Sequence, residues 1–334
     1  MRTLSPHLRN VLRRRTRIDL QNQSSLEPLL HQKSLPIPAS TEAFMSLPRR
    51  SFLIGSTLII SGSAKSASTD VAAPTKPKLS IGLITDLHYA DKPSKGTRYY
   101  RESIAKIDEA IDAFQENEVG IAIELGDLID AADDVATERS YLRTINRKFE
   151  TICPDRHYVL GNHCVDTLTK QEFLGEVGQQ NSYYSFDSHD YHFIVLDSCF
   201  KSDGSPYGRK NFNWTDANIP DREIDWLRED LKQTSNPTFV FAHQRLDIPT
   251  SHGVRNQQEV RAILEQSDCV KGVFQGHSHQ NDLRWINHIP YCTCVAMVEG
   301  SGTDQNAYSI LDLHEDQSIQ LRGFRKQASP ALKK

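Results

Sequence analysis

The chain of 334 residues lacks any Cys-x-x-Cys pair among its six cysteines, so the signature of a thiolate zinc site is missing. It also lacks an apolar run of the ~20 residues that a membrane-spanning helix needs. Beyond residue 78 it has neither an internal repeat nor a low-complexity tract. Finally, the main body lacks positive charge. Residues 1–78 carry 12 Lys/Arg against 4 Asp/Glu, which leaves 27 against 39 for residues 79–334. A body that acidic argues against an extended nucleic-acid face, which must neutralise phosphates, and suits a site that concentrates divalent cations. What remains is the composition of a soluble globular protein, 38% hydrophobic and 25% charged.

The basic excess belongs to a targeting segment. Arg49-Arg50-Ser51-Phe52-Leu53 precedes Ile54 to Ile60 and then the small residues Ser61 to Ser68. Charged, apolar and small regions in that order read as a signal peptide, and the paired arginines resemble a bacterial twin-arginine signal, which exports folded proteins. The expected organisation is a non-native or disordered extension at 1–44, a signal at 45–68 starting at Met45, a linker at 69–78, a catalytic body at 79–326 and a tail at 327–334. The protein is then periplasmic or secreted in a bacterium, meeting the membrane and the twin-arginine machinery only during export. A buried strand or a basic tail is the alternative reading of the same residues.

Within the body, short apolar runs alternate with amphipathic patterns. Strands are expected at Leu79–Ile84, Val119–Leu125, His157–Leu160, Tyr183–Phe186, His192–Leu196, Thr238–Ala242 and Val270–Gln275. Helices are expected at Arg98–Glu116, Thr137–Thr151, Asp221–Lys232 and Asn256–Glu265, with apolar residues at helical spacing. The tail (Tyr291–Val298, Ala307–Leu313, Ile319–Phe324) reads as antiparallel strands. The pattern predicts an α/β body with mixed sheets. Cys292 and Cys294 alternate along a strand and share a face, so they are poorly placed to bond to each other.

Five polar clusters each follow a strand: Asp86-Leu87-His88, Gly126-Asp127, Gly161-Asn162-His163, His243 and Gly276-His277-Ser278-His279. Strand carboxyl ends form the ligand crevice of open α/β folds, so these clusters should converge. They offer oxygen and nitrogen donors suited to Mn, Fe or Zn. If extended, Asp86 and His88 would share one side, as would His277 and His279, each pair gripping one ion. Each motif alone is an ordinary turn or loop, and the ordered set of five is what points to a metal site.

That ordered set resembles the calcineurin-like metallophosphoesterases. The resemblance spans residues 79–326 and implies a four-layer sandwich of two mixed sheets flanked by helices. It further implies a hydrolase whose two divalent cations (Mn expected, Fe or Zn as alternatives) activate a bridging solvent oxygen. By this resemblance Asp86, His88, Asp127 and His279 hold one ion, and Asp127, Asn162, His243 and His277 the other. His163 is implied as the catalytic histidine. Relatives have Asp or Glu after Gly-Asn-His, where this chain has Cys164, so His163 is expected to lack its orienting carboxylate. The purple acid phosphatases fit less well, because their tyrosine ligand falls where Asp130 stands.

Gly96-Thr97-Arg98-Tyr99-Tyr100-Arg101, Asn211 to Leu231 and Val298-Glu299-Gly300 are similar to manganese-dependent ADP-ribose/CDP-alcohol diphosphatases. Those enzymes often differ at the position of His88. The narrower resemblance implies cleavage of nucleoside diphosphate–linked compounds, a small phosphorylated substrate. The alternatives are a phosphomonoesterase or phosphodiesterase on the same metals, and a scaffold that binds without turnover. Arg98, Tyr100 and Arg101 read as substrate-binding residues, level with a solvated helix start that buries one tyrosine. Phe212 and Trp214 could line the pocket, but packing is the expected role.

Overall fold

The computed structural model describes residues 76–332. The expected signal segment and the Met45 start lie outside the described residues.

Two mixed sheets carry the fold. The first contains β1 (Leu79–Ile84), β2 (Ile121–Glu124), β3 (Asp155–Tyr158), β10 (Ala307–Leu313) and β11 (Ile319–Arg325), ordered β11-β10-β1-β2-β3. Strands β1, β2 and β3 are parallel, and β10 joins β1 antiparallel. The second contains β4 (Tyr184–Ser188), β5 (Tyr191–Val195), β6 (Thr238–Phe241), β7 (Val270–Gln275), β8 (Asp282–Ile286) and β9 (Ile289–Thr293), ordered β4-β5-β6-β7-β9-β8. Here β5, β6, β7 and β9 are parallel, with antiparallel edges at β4 and β8.

Side-chain alternation explains the layering. Leu79, Ile81, Leu83, Ile121 and Ile123 of the first sheet share a core with Phe193, Phe239, Phe241 and Phe274 of the second. Successive strand residues point to opposite faces, so Ala122 and Ile310 enter another core with Ile107, Phe114, Leu142 and Phe149. Those last four lie on α1 (Ser103–Glu116) and α2 (Val135–Phe149). Ile194 and Val240 likewise face Ile224 and Leu227 of α4 (Asp221–Gln233) and Val260 of α5 (Gln257–Gln266). Helix, sheet, sheet, helix is the expected four-layer sandwich.

Two differences from the sequence reading are informative. A helix absent from that reading, α3 (Lys170–Val177), is started by a capping box in which Thr169 and Glu172 satisfy each other's backbone N–H. The carboxy-terminal strands also do not form one antiparallel group: β9 extends the second sheet parallel to β7, and β10 and β11 return to the first.

Candidate active site

The parallel strands of both sheets end at one edge of the sandwich, and the five polar clusters meet there. Asp86 Oδ1 lies 3.3 Å from His279 Nε2 and 3.6 Å from His88 Nε2. The two histidine nitrogens are 3.3 Å apart, and His88 Nε2 is 3.6 Å from Asp127 Oδ2. The same Asp127 Oδ2 is 3.2 Å from His243 Nε2, which is 3.2 Å from His277 Nδ1. Two donor groups therefore share Asp127.

The cluster has the properties of a cation site. Donors about 2.1 Å from a shared tetrahedral ion stand roughly 3.4 Å from one another, close to the separations seen. Asp86 Oδ1 is buried without a hydrogen-bond partner, a costly arrangement unless something else engages the cluster. The remaining atoms are fixed. His243 Nδ1 donates to the Leu125 carbonyl at 2.9 Å and His279 Nδ1 to Glu299 Oε1 at 2.7 Å, leaving each Nε2 aimed inward. Asn162 is buried after β3, its Oδ1 3.4 Å from Gln244 Nε2.

These residues are held in strained backbone. Asp86, His88, Asp127, His277 and His279 all have left-handed φ, between 44° and 68°, which is uncommon outside glycine. The expectation of extended pairs gripping one ion each is therefore corrected. Asp86 and His88 do converge, but the reversal at His277 and His279 sends them to different groups. Gly161 has no room for a side chain, because a Cβ there would overlap the Asp127 carboxylate.

The electrostatics follow from burial and proximity. Burial alone would raise Asp86 and Asp127, but neighbouring histidines outweigh it and hold both carboxyls well below the usual range. Burial opposes protonation of His279, yet Asp86 and Glu299 prevail and raise it to about 9. His277 has no such partner, and burial with His243 beside it lowers it to about 3. The hydrogen bond from His279 brings Glu299 down to about 2.

His163 is not without a carboxylate. Its Nδ1 lies 2.5 Å from Oδ1 of Asp130, a buried residue that also pairs with Lys92 Nζ at 2.6 Å. Cys164 instead turns into the apolar core with Leu128, Val165 and Leu168. The expectation that Cys164 leaves His163 unoriented is thus overturned, because three residues past Asp127 the chain brings Asp130 back to the ring. His88, Asp130 and His163 also form a third compact donor group. Among the described residues all six cysteines are free.

Of the three expected substrate-binding residues, Arg98 and Tyr100 border the cluster, Tyr100 through its hydroxyl beside Asp130 and Arg98. Arg98 lies 4.0 Å from Glu299 and its charge is felt by His163 and His279. The Tyr100 ring is otherwise buried against Ala90, Ala296 and Val298, and Arg101 forms an exposed pair with Asp91 at 2.6 Å, so Arg101 follows the solvated-helix alternative. Phe212 packs against the core as expected, but Trp214 is 42% exposed. Glu299 and Asp130 are the supporting residues that the sequence reading did not assign. Lys106, fully buried, braces the loop of Glu299 through the carbonyls of Met297, Glu299 and Gly300 at 2.7–3.0 Å.

The model of the calcineurin-like phosphoesterases matches residues 79–281, a range that holds every one of these donors. The chain belongs to that family. It is accordingly a metal-dependent phosphoester hydrolase. A manganese-dependent ADP-ribose/CDP-alcohol diphosphatase of Oryza sativa subsp. japonica is 26% identical over 311 residues, covering 78% of this chain and 96% of the relative. Its namesake in Arabidopsis thaliana is 27% identical over 263 residues, covering 63% and 82%. The crystal structure of a dimetal phosphatase from Danio rerio superposes on the phosphoesterase with a TM-score of 0.63 at 17% identity. That superposition covers 77% of this chain and 100% of the other, and it shows the shared fold.

Proposed function

We propose that this phosphoesterase hydrolyses the diphosphate linkage of small nucleoside diphosphate–linked compounds, with manganese as its metal. The observation that carries the reading is the pair of donor groups sharing Asp127 Oδ2, set beside the His163–Asp130 pair. Named relatives that match most of their own length support the substrate class and the metal.

Asp86, His88, Asp127 and His279 would hold one ion, and Asp127, Asn162, His243 and His277 the other. Two divalent ions bound there would acidify a water and neutralise charge on the phosphoryl oxygens. Asp127 would be shared by both, and its Oδ1 accepts the His163 backbone N–H at 2.7 Å, tying the two loops together. Burial works against a charged His163, but Asp127 and Asp130 outweigh it and raise its basicity. In its protonated form His163 can give that proton to the departing oxygen. Lys92 holds the far oxygen of Asp130, so the near one stays on the ring. Arg98 borders the cluster, where its guanidinium can pair with a second phosphate.

Comparing ADP-ribose, CDP-choline, cyclic nucleotides and p-nitrophenyl phosphate with added Mn²⁺ tests this reading. Preferred cleavage of the first two supports it. A preference for the cyclic nucleotides or the monoester would reassign the enzyme to phosphodiesterases or phosphomonoesterases. Absence of turnover on all of them with both ions bound would favour a scaffold.

Export is a separate part of the proposal, supported by Arg49, Arg50 and the apolar and small residues that follow. Replacing both arginines by lysine should strand active enzyme in the cytoplasm of a bacterial host. Unchanged extracytoplasmic activity would remove the twin-arginine route.

A further inference from the structure

Trp214 is the one large apolar side chain exposed among the described residues. A single exposed tryptophan is ordinary on a protein surface, so its surroundings must decide whether it has a role. Its ring centroid lies 5.2 Å from that of His252 and 6.2 Å from that of His277, and the latter two are 5.6 Å apart. These are the separations of interacting aromatic rings. His277 belongs to the donor cluster, so the exposed indole stands at the rim of the reacting centre.

Both supporting segments are fixed. The Asn213 carbonyl accepts from Tyr207 Oη at 2.8 Å and from Asp216 N at 2.8 Å. The Asn213 side chain accepts from Thr215 N at 3.1 Å and from Thr215 Oγ1 at 2.8 Å. Across the rim, the His252 carbonyl accepts from Arg245 N at 3.1 Å, and Gly253 N donates to Thr250 O at 2.9 Å. Gly253 admits no side chain, since a Cβ there would overlap the Ile248 carbonyl. The partly exposed indole is thus carried on an ordered turn, a surface organised before anything binds. Two residues earlier in the same loop, Phe212 stands 5.7 Å from His163. The loop therefore borders both wings of the cluster, with Phe212 partly buried on the His163 side and Trp214 exposed on the His277 side.

We propose that Trp214 and His252 form a shelf on which the nucleobase of the substrate stacks while its phosphates occupy the donor cluster. This rests on the diphosphatase reading above and extends it to a residue that determines specificity. Stacking of a base on an aromatic side chain is tolerant of base identity, so the shelf selects for a ring without choosing between adenine and cytosine. Arg98, on the side of Glu299 and His163, is left for the phosphates.

The test compares Mn²⁺-loaded wild type, W214A and W214F on ADP-ribose and on a dialkyl diphosphate, which offers the same bond without a ring. In W214A the ratio of the two kcat/KM values should fall about 5- to 150-fold, through KM more than kcat. In W214F most of that ratio should return. Independently, AMP should quench the fluorescence of wild type, and the quench should vanish in W214F, which retains Trp226 and Trp285. An unchanged ratio in W214A, or a quench that survives in W214F, overturns the proposal. So does an equal loss on both substrates accompanied by loss of bound manganese, which marks a structural role. If wild type cleaves neither diphosphate, the diphosphatase reading fails, and the AMP quench alone decides on the shelf.

Discussion

The two donor groups that meet at Asp127 are supported in different ways. Around Asp86, His88 and His279 the outer partners are anionic: Glu299 holds His279, and Asp130 stands 3.6 Å from His88. Around His243 and His277 they are neutral. His243 is held by a backbone carbonyl, and His277 Nε2 has no hydrogen-bond partner. Carboxylates behind a ligating histidine raise its basicity and its affinity for a cation. The comparison teaches that one fold edge would hold two ions unequally, the first through histidines backed by carboxylates and the second through a histidine backed by a backbone carbonyl.

Removing the shared residue should erase the distinction. Asp127→Ala is expected to abolish turnover and to reduce binding of both ions, read by metal analysis. His163→Ala should lower kcat by about 10²–10⁴ while both ions stay bound. Loss of metal in that variant would instead place His163 in the third donor group with His88 and Asp130.

Much of this arrangement was legible in the sequence because the donors sit at strand ends, where apolar runs stop and polar residues begin. What stayed hidden had weaker signals. Strand β8 carries Asp282 and Arg284 among its apolar residues, which masks an edge strand as a loop. The capping box before α3 was written in Thr169 and Glu172 but is too short a pattern to stand out. Asp130 gave no sign beyond its spacing from Asp127, since its role depends on a chain reversal. Left-handed φ at aspartate and histidine has no sequence mark at all, which is why the extended-pair reading failed for His277 and His279.

Glu299→Gln sharpens the comparison from the other side. It should weaken one of the two ions by about 10–100-fold and leave the second in place, read as a two-step metal titration collapsing at one step only. Proton competition should follow. His279 gains its proton as pH falls through about 9, and an ion must displace that proton to bind. Affinity at this group should therefore climb with pH, by up to about tenfold per unit, and level off near 9. In Glu299→Gln the plateau should start at lower pH, because one of the charges raising His279 is gone. His277, already neutral above about 3, contributes no such slope. A flat titration from pH 6 to 10 would contradict the carboxylate-backed assignment.

The smallest effect is expected at Cys164, which faces the core. Cys164→Ala should leave kcat within about twofold and lower stability by roughly 1–2 kcal/mol for the buried sulfur removed, measured by denaturant unfolding. A large change in kcat would show that the thiol does reach His163.

Five left-handed ligand residues also mean that this enzyme is less stable than its own chain could make it. Each such conformation costs roughly 1–3 kcal/mol in a non-glycine residue, a large share of a stability that rarely exceeds about 15 kcal/mol. Glycine would relax that strain, but at Asp86 or Asp127 it would also strip the acceptor from the His277 or His163 backbone N–H, so the same side chains that strain the edge also hold its loops together.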